Sequence, residues 1–182
     1  MQVTPTALPG VLMLEPKVFA DERGYFLESF SQRAFEAAIG QVVTFVQDNH
    51  SKSQRGVLRG LHYQLPPHAQ GKLVRVVRGS AFDVVVDVRR GSTTFGRWFG
   101  ATLDAASHRQ MWIPPGFAHG FLALEDDTHF LYKTTDFYAR ECERVIAWND
   151  AAIGIDWPRL DGAPRLAAKD VAAPRLADAD IL

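Results

Sequence analysis

Residues 47 to 64 read QDNHSKSQRGVLRGLHYQ, and this stretch gathers Gln47, Asp48, Asn49, His50, Arg59, His62, Tyr63 and Gln64. Strand alternation would place His62 on the face of Leu58, Gly60 and Gln64, with Arg59 and Tyr63 on the opposite face. A lone strand histidine is most often a core residue with both ring nitrogens satisfied. A face bearing Gly60, His62 and Gln64 is too polar and too open for that, so it is expected to line a cavity. Gly60 is also a candidate bulge that would turn Arg59 and His62 toward one site. Lys72 opens the next apolar run, and Tyr132, in HFLYKTTDFY, shares a strand face with Phe130 and Thr134. Taken alone, Tyr132 would be a half-buried strand tyrosine. A histidine, a lysine and a tyrosine facing one cavity suit proton transfer beside a carbonyl. Histidine is the base near neutral pH, tyrosine the proton donor, and lysine the holder of negative charge developing on oxygen. No serine or cysteine nucleophile competes, since Cys142 lies among Glu141, Glu143 and Arg144 and reads as a small packing residue.

The elements that must position these groups are short strands. Apolar residues recur with period two between Gly, Pro, Asn and Asp, which predicts an all-β sandwich or barrel. In Ala81 to Val88, Phe82, Val84, Val86 and Val88 share one face, and Asp83, Val85 and Asp87 the other. Further strands are expected at Tyr25 to Phe30, Val42 to Gln47, Val57 to Gln64, Lys72 to Val77, Trp98 to Leu103, Gln110 to Ile113, Gly120 to Leu124, His129 to Thr134 and Arg144 to Trp148. One helix is expected over SQRAFEAAI, capped by Ser31, with Phe35 and Ile39 on one face and Gly40 as its stop. A single domain is expected over 1–182, with 159–182 a C-terminal arm or loop in which APRL occurs at both Ala163 and Ala173.

Charge and composition remove other classes. The chain carries 20 Lys and Arg against 21 Asp and Glu, a formal net charge of −1, and has no basic block. That argues against a nucleic-acid partner. No apolar run approaches the roughly 20 residues that cross a bilayer, so no membrane partner is expected. A single cysteine and an opening segment without a basic stretch point to the cytoplasm.

Ile113 to Phe121, IPPGFAHGF, places Pro114, Gly116 and His119 in the PxGxxH spacing of the second cupin motif. In the first cupin motif, Gly56 precedes His62. Gln64 then stands where a second histidine belongs, and Lys72 replaces the glutamate ahead of Gly79. A transition metal wants about three His or carboxylate ligands, and an ammonium offers only donors. The frame is therefore cupin-like with its metal site dismantled. A residual metal on His62, His119 and another histidine is the alternative.

Together DERGYFLESF, QDNHS, GVLRGLHYQ, the Lys72 strand, PPGFAHGF, LYKTTDFY, ERVIAWND and RLAAKD resemble the dTDP-4-dehydrorhamnose 3,5-epimerase family, in order, from about residue 8 to residue 171. Ala139 and Ala151 stand where the family often has proline, and Ala167 and Ala168 make the last motif less typical. The resemblance implies a cupin-type jelly-roll barrel with a few short helices. It further implies metal-free and cofactor-free inversion of C3 and C5 in dTDP-4-dehydro-6-deoxy-D-glucose, giving dTDP-4-dehydro-L-rhamnose. It makes His62 the base, Asp170 its carboxylate partner, Tyr132 the acid across the sugar and Lys72 the group beneath the C4 enolate oxygen. Arg23, Glu28, Gln47, Asp48, Asn49, Arg59, His119, Glu143 and Lys169 match substrate-contacting positions, and Tyr138 a ring that stacks on thymine. Arginine forks, amides and an aromatic face suit a diphosphate and a pyrimidine. The family's N-terminal strands cross to a partner, which implies a homodimer. Rival readings are a mono-epimerase acting at C3 or C5 only, a 3,4-ketoisomerase, a non-catalytic sugar-sensing cupin and a metal-dependent dioxygenase.

Overall fold

The computed structural model describes residues 1–182. Thirteen strands follow in chain order: β1 (Gln2–Pro5), β2 (Leu12–Glu15), β3 (Val18–Asp21), β4 (Gly24–Leu27), β5 (Gln47–Ser53), β6 (Leu58–Gln64), β7 (Lys72–Arg78), β8 (Ser80–Asp87), β9 (Trp98–Asp104), β10 (Gln110–Ile113), β11 (Phe117–Ala123), β12 (Thr128–Thr134) and β13 (Glu143–Val145). Helix α1 spans Gln32–Ile39 and a single-turn α2 spans Ala168–Val171. The strands form a six-stranded sheet, β1-β2-β10-β7-β12-β5, facing a five-stranded one, β13-β6-β11-β8-β9, while β3 and β4 pair only with each other. The two large sheets are antiparallel throughout and make the jelly-roll barrel expected from the sequence.

Strand β8 shows why the alternation was legible. Val85 enters the core between the sheets with Val74, Val76, Met111, Phe121 and Phe130. Val84, Val86 and Val88 enter a second core behind the small sheet with Leu61, Tyr63 and Ile146. A strand buried on both faces carries apolar residues at both periods, and its inward polar residues, Asp83 and Asp87, are fully buried. Helix α1 is also as expected. The Ser31 hydroxyl accepts from the Ala34 amide, Gly40 adopts φ 71°, and its N–H donates to the Glu36 carbonyl.

One expected strand is corrected, and three strands were not expected. Val42 to Val46 form no strand, and β5 begins only at Gln47. Val43 and Phe45 are apolar because they cover the α1 cluster, where Phe45 meets Phe35 and Trp112 at ring separations of 5.2 and 6.0 Å. The four-residue strands β1, β2 and β3 carried too little alternation to be expected at all. The C-terminal arm does cover the barrel. Arg165 exchanges backbone bonds with Gly56 and Leu58, Ala147 donates to the Pro174 carbonyl, and the Tyr63 hydroxyl donates to the Asp180 carbonyl at 2.5 Å. No helix is long and apolar enough to cross a membrane.

Candidate active site

The site begins with a break in register. Strands β11 and β6 pair His119 with His62, but Phe121 with Arg59, so Gly60 and Leu61 together oppose Gly120. Gly60 sits at φ +134°, and a Cβ there would lie 2.5 Å from the Gly120 Cα. Only glycine fits so close a crossing in that conformation. The extra residue overturns simple alternation: Arg59 and His62 both reach the cavity, while Leu61 and Tyr63 turn into the outer core. Arg59 is therefore not opposite His62, as plain alternation predicts. The bulge expected at Gly60 is the reason.

The cavity between the sheets has a volume of about 510 Å³. His62, with its side chain 24% exposed, points into it, and its Nε2 lies 2.6 Å from Oδ1 of Asp170, which is 2% exposed. With Nε2–H donated to that carboxylate, Nδ1 is the ring nitrogen left to take a proton. Asp170 arrives from α2, 108 positions along the chain. Lys72 enters from β7 of the facing sheet. It is 8% exposed, and its Nζ donates to the His62 carbonyl at 3.3 Å. Burial pulls its pKa down to about 8, opposed by the charges of Asp83 and Glu143. Tyr132 enters from β12 beside Phe130. Its pKa is raised by burial, against the lowering effect of Arg59 and Lys169.

The outer part of the cavity is more polar. Burial alone would raise the pKa of Glu143, but the bond from Lys169 Nζ at 2.6 Å and the charge beside it bring the carboxylate below its usual range. The Tyr138 hydroxyl donates to the other oxygen of Glu143 at 3.2 Å. Gln47 donates to Asn49 at 2.9 Å and accepts from the Tyr138 amide at 3.2 Å. Gln64 spends its side-chain amide on the His68 and Phe137 carbonyls and on the Ala139 N–H, so it pins the loop that presents Tyr138. Arg59 is steadied by Ser53 Oγ at 3.1 Å. Of the six histidines, only His62 and His119 line the cavity, so no third imidazole joins them there.

Three expected site residues lie elsewhere in this chain. Arg23 is paired with Asp21 at 2.5 Å on the β3–β4 hairpin with its side chain 85% exposed. Glu28 follows that hairpin and is exposed. Asp48 points to the other face of β5, bonded to Lys133 at 2.9 Å. None of the three lines the cavity.

Sequence reasoning missed Asp83, whose Oδ1 lies 2.7 Å from Nε2 of His119. Its signal was present: a carboxylate on the inward face of an apolar strand needs a partner. It also missed Ser51 and Gln70, and Arg165 in the arm, all of which line the cavity. Ser51 follows Asn49 at the strand period; Arg165 carried no such signal.

The arrangement offers a base, a facing hydroxyl, a buried cation and a polar mouth, which suits removal and return of a proton next to a carbonyl in an anionic substrate. The dTDP-4-dehydrorhamnose 3,5-epimerase family model matches residues 5–178. The chain is 60% identical over 180 residues to the enzyme of that name from Pseudomonas aeruginosa, covering 99% of this chain and 98% of the relative. It is 57% identical over 180 residues to the one from Shigella flexneri, with the same coverage. The crystal structure of dTDP-6-deoxy-D-glucose-3,5-epimerase from Legionella pneumophila, in complex with dTDP-4-keto-L-rhamnose, superimposes with a TM-score of 0.94 at 48% identity, covering 98% of this chain and 94% of that one. With the family model spanning nearly its whole length and relatives this similar, the chain belongs to the dTDP-4-dehydrorhamnose 3,5-epimerase family.

Proposed function

We propose that this protein inverts C3 and C5 of dTDP-4-dehydro-6-deoxy-D-glucose, giving dTDP-4-dehydro-L-rhamnose, and that His62, Asp170, Lys72 and Tyr132 carry the chemistry. The observation that supports this reading is the His62–Asp170 pair at 2.6 Å opening onto a cavity that Lys72 and Tyr132 also line. A proton beside a ketone is acidic only when its charge can move onto oxygen, so a base and a cradle for that oxygen are both required. A positioned base contributes roughly 10²–10⁴-fold and one oxyanion donor roughly 10²–10³-fold. His62 Nδ1 takes the carbon-bound proton, Lys72 holds the charge on the C4 oxygen, and Tyr132 returns a proton on the other face. The same set then acts at the second carbon. Arg59 and Lys169 suit the diphosphate, and the Tyr138 ring, with Gln47 and Asn49, suits the thymine.

The protein acts as a homodimer in this reading. The hairpin of β3 and β4 exposes Val18, Phe19, Tyr25 and Phe26 and pairs with no other strand of its own chain. Arg23 and Glu28 sit on or beside it, outside the cavity of their own chain, so a hairpin laid across a second copy could bring both to that copy's site. Sedimentation of a monomer at micromolar concentration would contradict this.

The decisive experiment is incubation with the dTDP-keto-sugar in D₂O. Two deuteriums in an L-configured product support the proposal, one indicates a mono-epimerase, and none a sugar sensor. Turnover should survive exhaustive chelation, since Lys72 and Gln64 occupy the positions where metal ligands would be needed.

A further inference from the structure

Asp83 is left without a task by the reaction just described. It has no exposed surface; Oδ1 bonds His119, while Oδ2 has no hydrogen-bond partner. A buried carboxylate with an unspent oxygen is costly and needs compensation from nearby positive charge. Lys72 has the complementary shortfall: it is buried, and its ammonium makes a single bond, to the His62 carbonyl. Lys72 rises from β7 in the large sheet and Asp83 from β8 in the small one, and each acts on the other's charge.

The other groups around Lys72 are already engaged. Glu143 on β13 is ion-paired with Lys169 on α2, Asp170 is bonded to His62 on β6, and His119 on β11 is bonded to Asp83 itself. Tyr132 on β12 offers a phenol, whose pKa burial raises. Asp83 and Asp170 are thus the carboxylates here that no Lys or Arg side chain contacts, and of the two only Asp83 leaves a fully buried oxygen without a hydrogen-bond partner.

We propose that Asp83 is a positioning residue that keeps Lys72 charged under the sugar carbonyl while its other oxygen fixes the His119 ring. The inference rests on the enolate role given to Lys72 above and adds the group that makes that role available at neutral pH. Burial draws the Lys72 ammonium down to about 8, and Asp83 is the foremost influence opposing that fall. Without it, the neutral amine would dominate in the working range and could not hold an enolate.

The test is the pH dependence of kcat for the unaltered enzyme and for Asp83→Asn, which preserves shape. The alkaline limb, expected near pH 8, should move down by about one unit, a rate loss of about fivefold at pH 8 that approaches about tenfold above pH 9. KM should change little. A uniform loss across pH with the limb in place would reduce Asp83 to a packing role and overturn the proposal. Asp83→Glu retains the charge, so it should keep the limb close to that of the unaltered enzyme even if Asp83→Asn folds poorly; a limb that falls as far as in Asp83→Asn would contradict the idea. NMR titration of the Lys72 side chain in lysine-labelled protein tests the same point without turnover. A Lys72 that titrates identically in the unaltered protein and Asp83→Asn refutes the proposal, whereas absence of epimerisation by the unaltered enzyme would refute only the assigned reaction.

Discussion

His62 and His119 stand directly opposite each other on β6 and β11, and each imidazole is bonded to a buried carboxylate from a remote stretch of chain, Asp170 at 2.6 Å and Asp83 at 2.7 Å. The two pairs differ in access. The His62 side chain is 24% exposed toward the cavity, whereas that of His119 is 8% exposed beside the Phe130 ring, and burial lowers its pKa. A base that must meet carbon-bound protons needs the first environment. A group that orients substrate or fixes a charge network suits the second.

Removing the partner of the base should separate chemistry from binding. Asp170→Ala leaves His62 free to rotate and its cation unsupported, so kcat should fall on the order of 10²–10⁴-fold. The affinity for dTDP, measured by calorimetry, should hold. A parallel loss of both would show that Asp170 serves the fold of the arm instead.

Tyr132 lines the cavity from the six-stranded sheet and His62 from the five-stranded one. Tyr132→Phe should slow inversion more than it slows deuterium exchange at C3, because His62 can still remove and return a proton on its own face. Equal loss of the two rates by NMR would contradict the role of opposite-face acid.

Lys72 trades stability for chemistry. Its pKa is about 8 in the folded protein against 10.5 for an ordinary lysine, so the unfolded chain binds the proton more tightly. Burying the ammonium therefore costs on the order of 3 kcal/mol at pH 7. That cost is relieved as pH rises from 8 to 10.5. Lys72→Met should abolish turnover and yet raise stability to urea by about 1–3 kcal/mol at pH 7, a gain that shrinks by pH 10. A less stable variant at pH 7 would mean the ammonium is a net structural tie.

Asp87 gives the opposite sign. Burial would raise its pKa, but hydrogen bonds from Arg89, Ser92 and Thr94 bring it down to about 2 from an ordinary 3.8. Its stabilisation, about 2 kcal/mol, is full above pH 4 and fades as pH falls toward 2. Asp87→Asn should lose that amount at pH 7 and little near pH 2, as read by thermal melts at both values.

Gly60→Ala should cost more than about 2 kcal/mol and disable the site, because its Cβ would strike the Gly120 backbone at a positive φ. Gly162→Ala, with positive φ but open space around it, should cost only about 1 kcal/mol. Similar losses at both positions would show that φ, and not the strand crossing, governs Gly60.

Much of this molecule was written locally. Period-two runs such as Ala81 to Val88 specify strands because successive side chains leave opposite faces, and Ser31 and Gly40 delimit α1 because their side chain and backbone satisfy its ends. The composition of β6 likewise announced a cavity, and family resemblance supplied Asp170 and the outer residues. What tertiary structure decided were the matters that depend on a partner strand. Whether Arg59 and His62 share a face turned on one extra residue opposite Gly120, and no alternation rule reports a bulge's outcome before pairing. Asp83 became part of the site only when β11 laid His119 beside β8. Val42 to Val46 lost their expected strand, and within them Val43 and Phe45 instead cover the helix cluster. Local pattern sets which faces are apolar. Burial of a specific charge beside another is a property of packing, and there the chemistry of this cavity was settled.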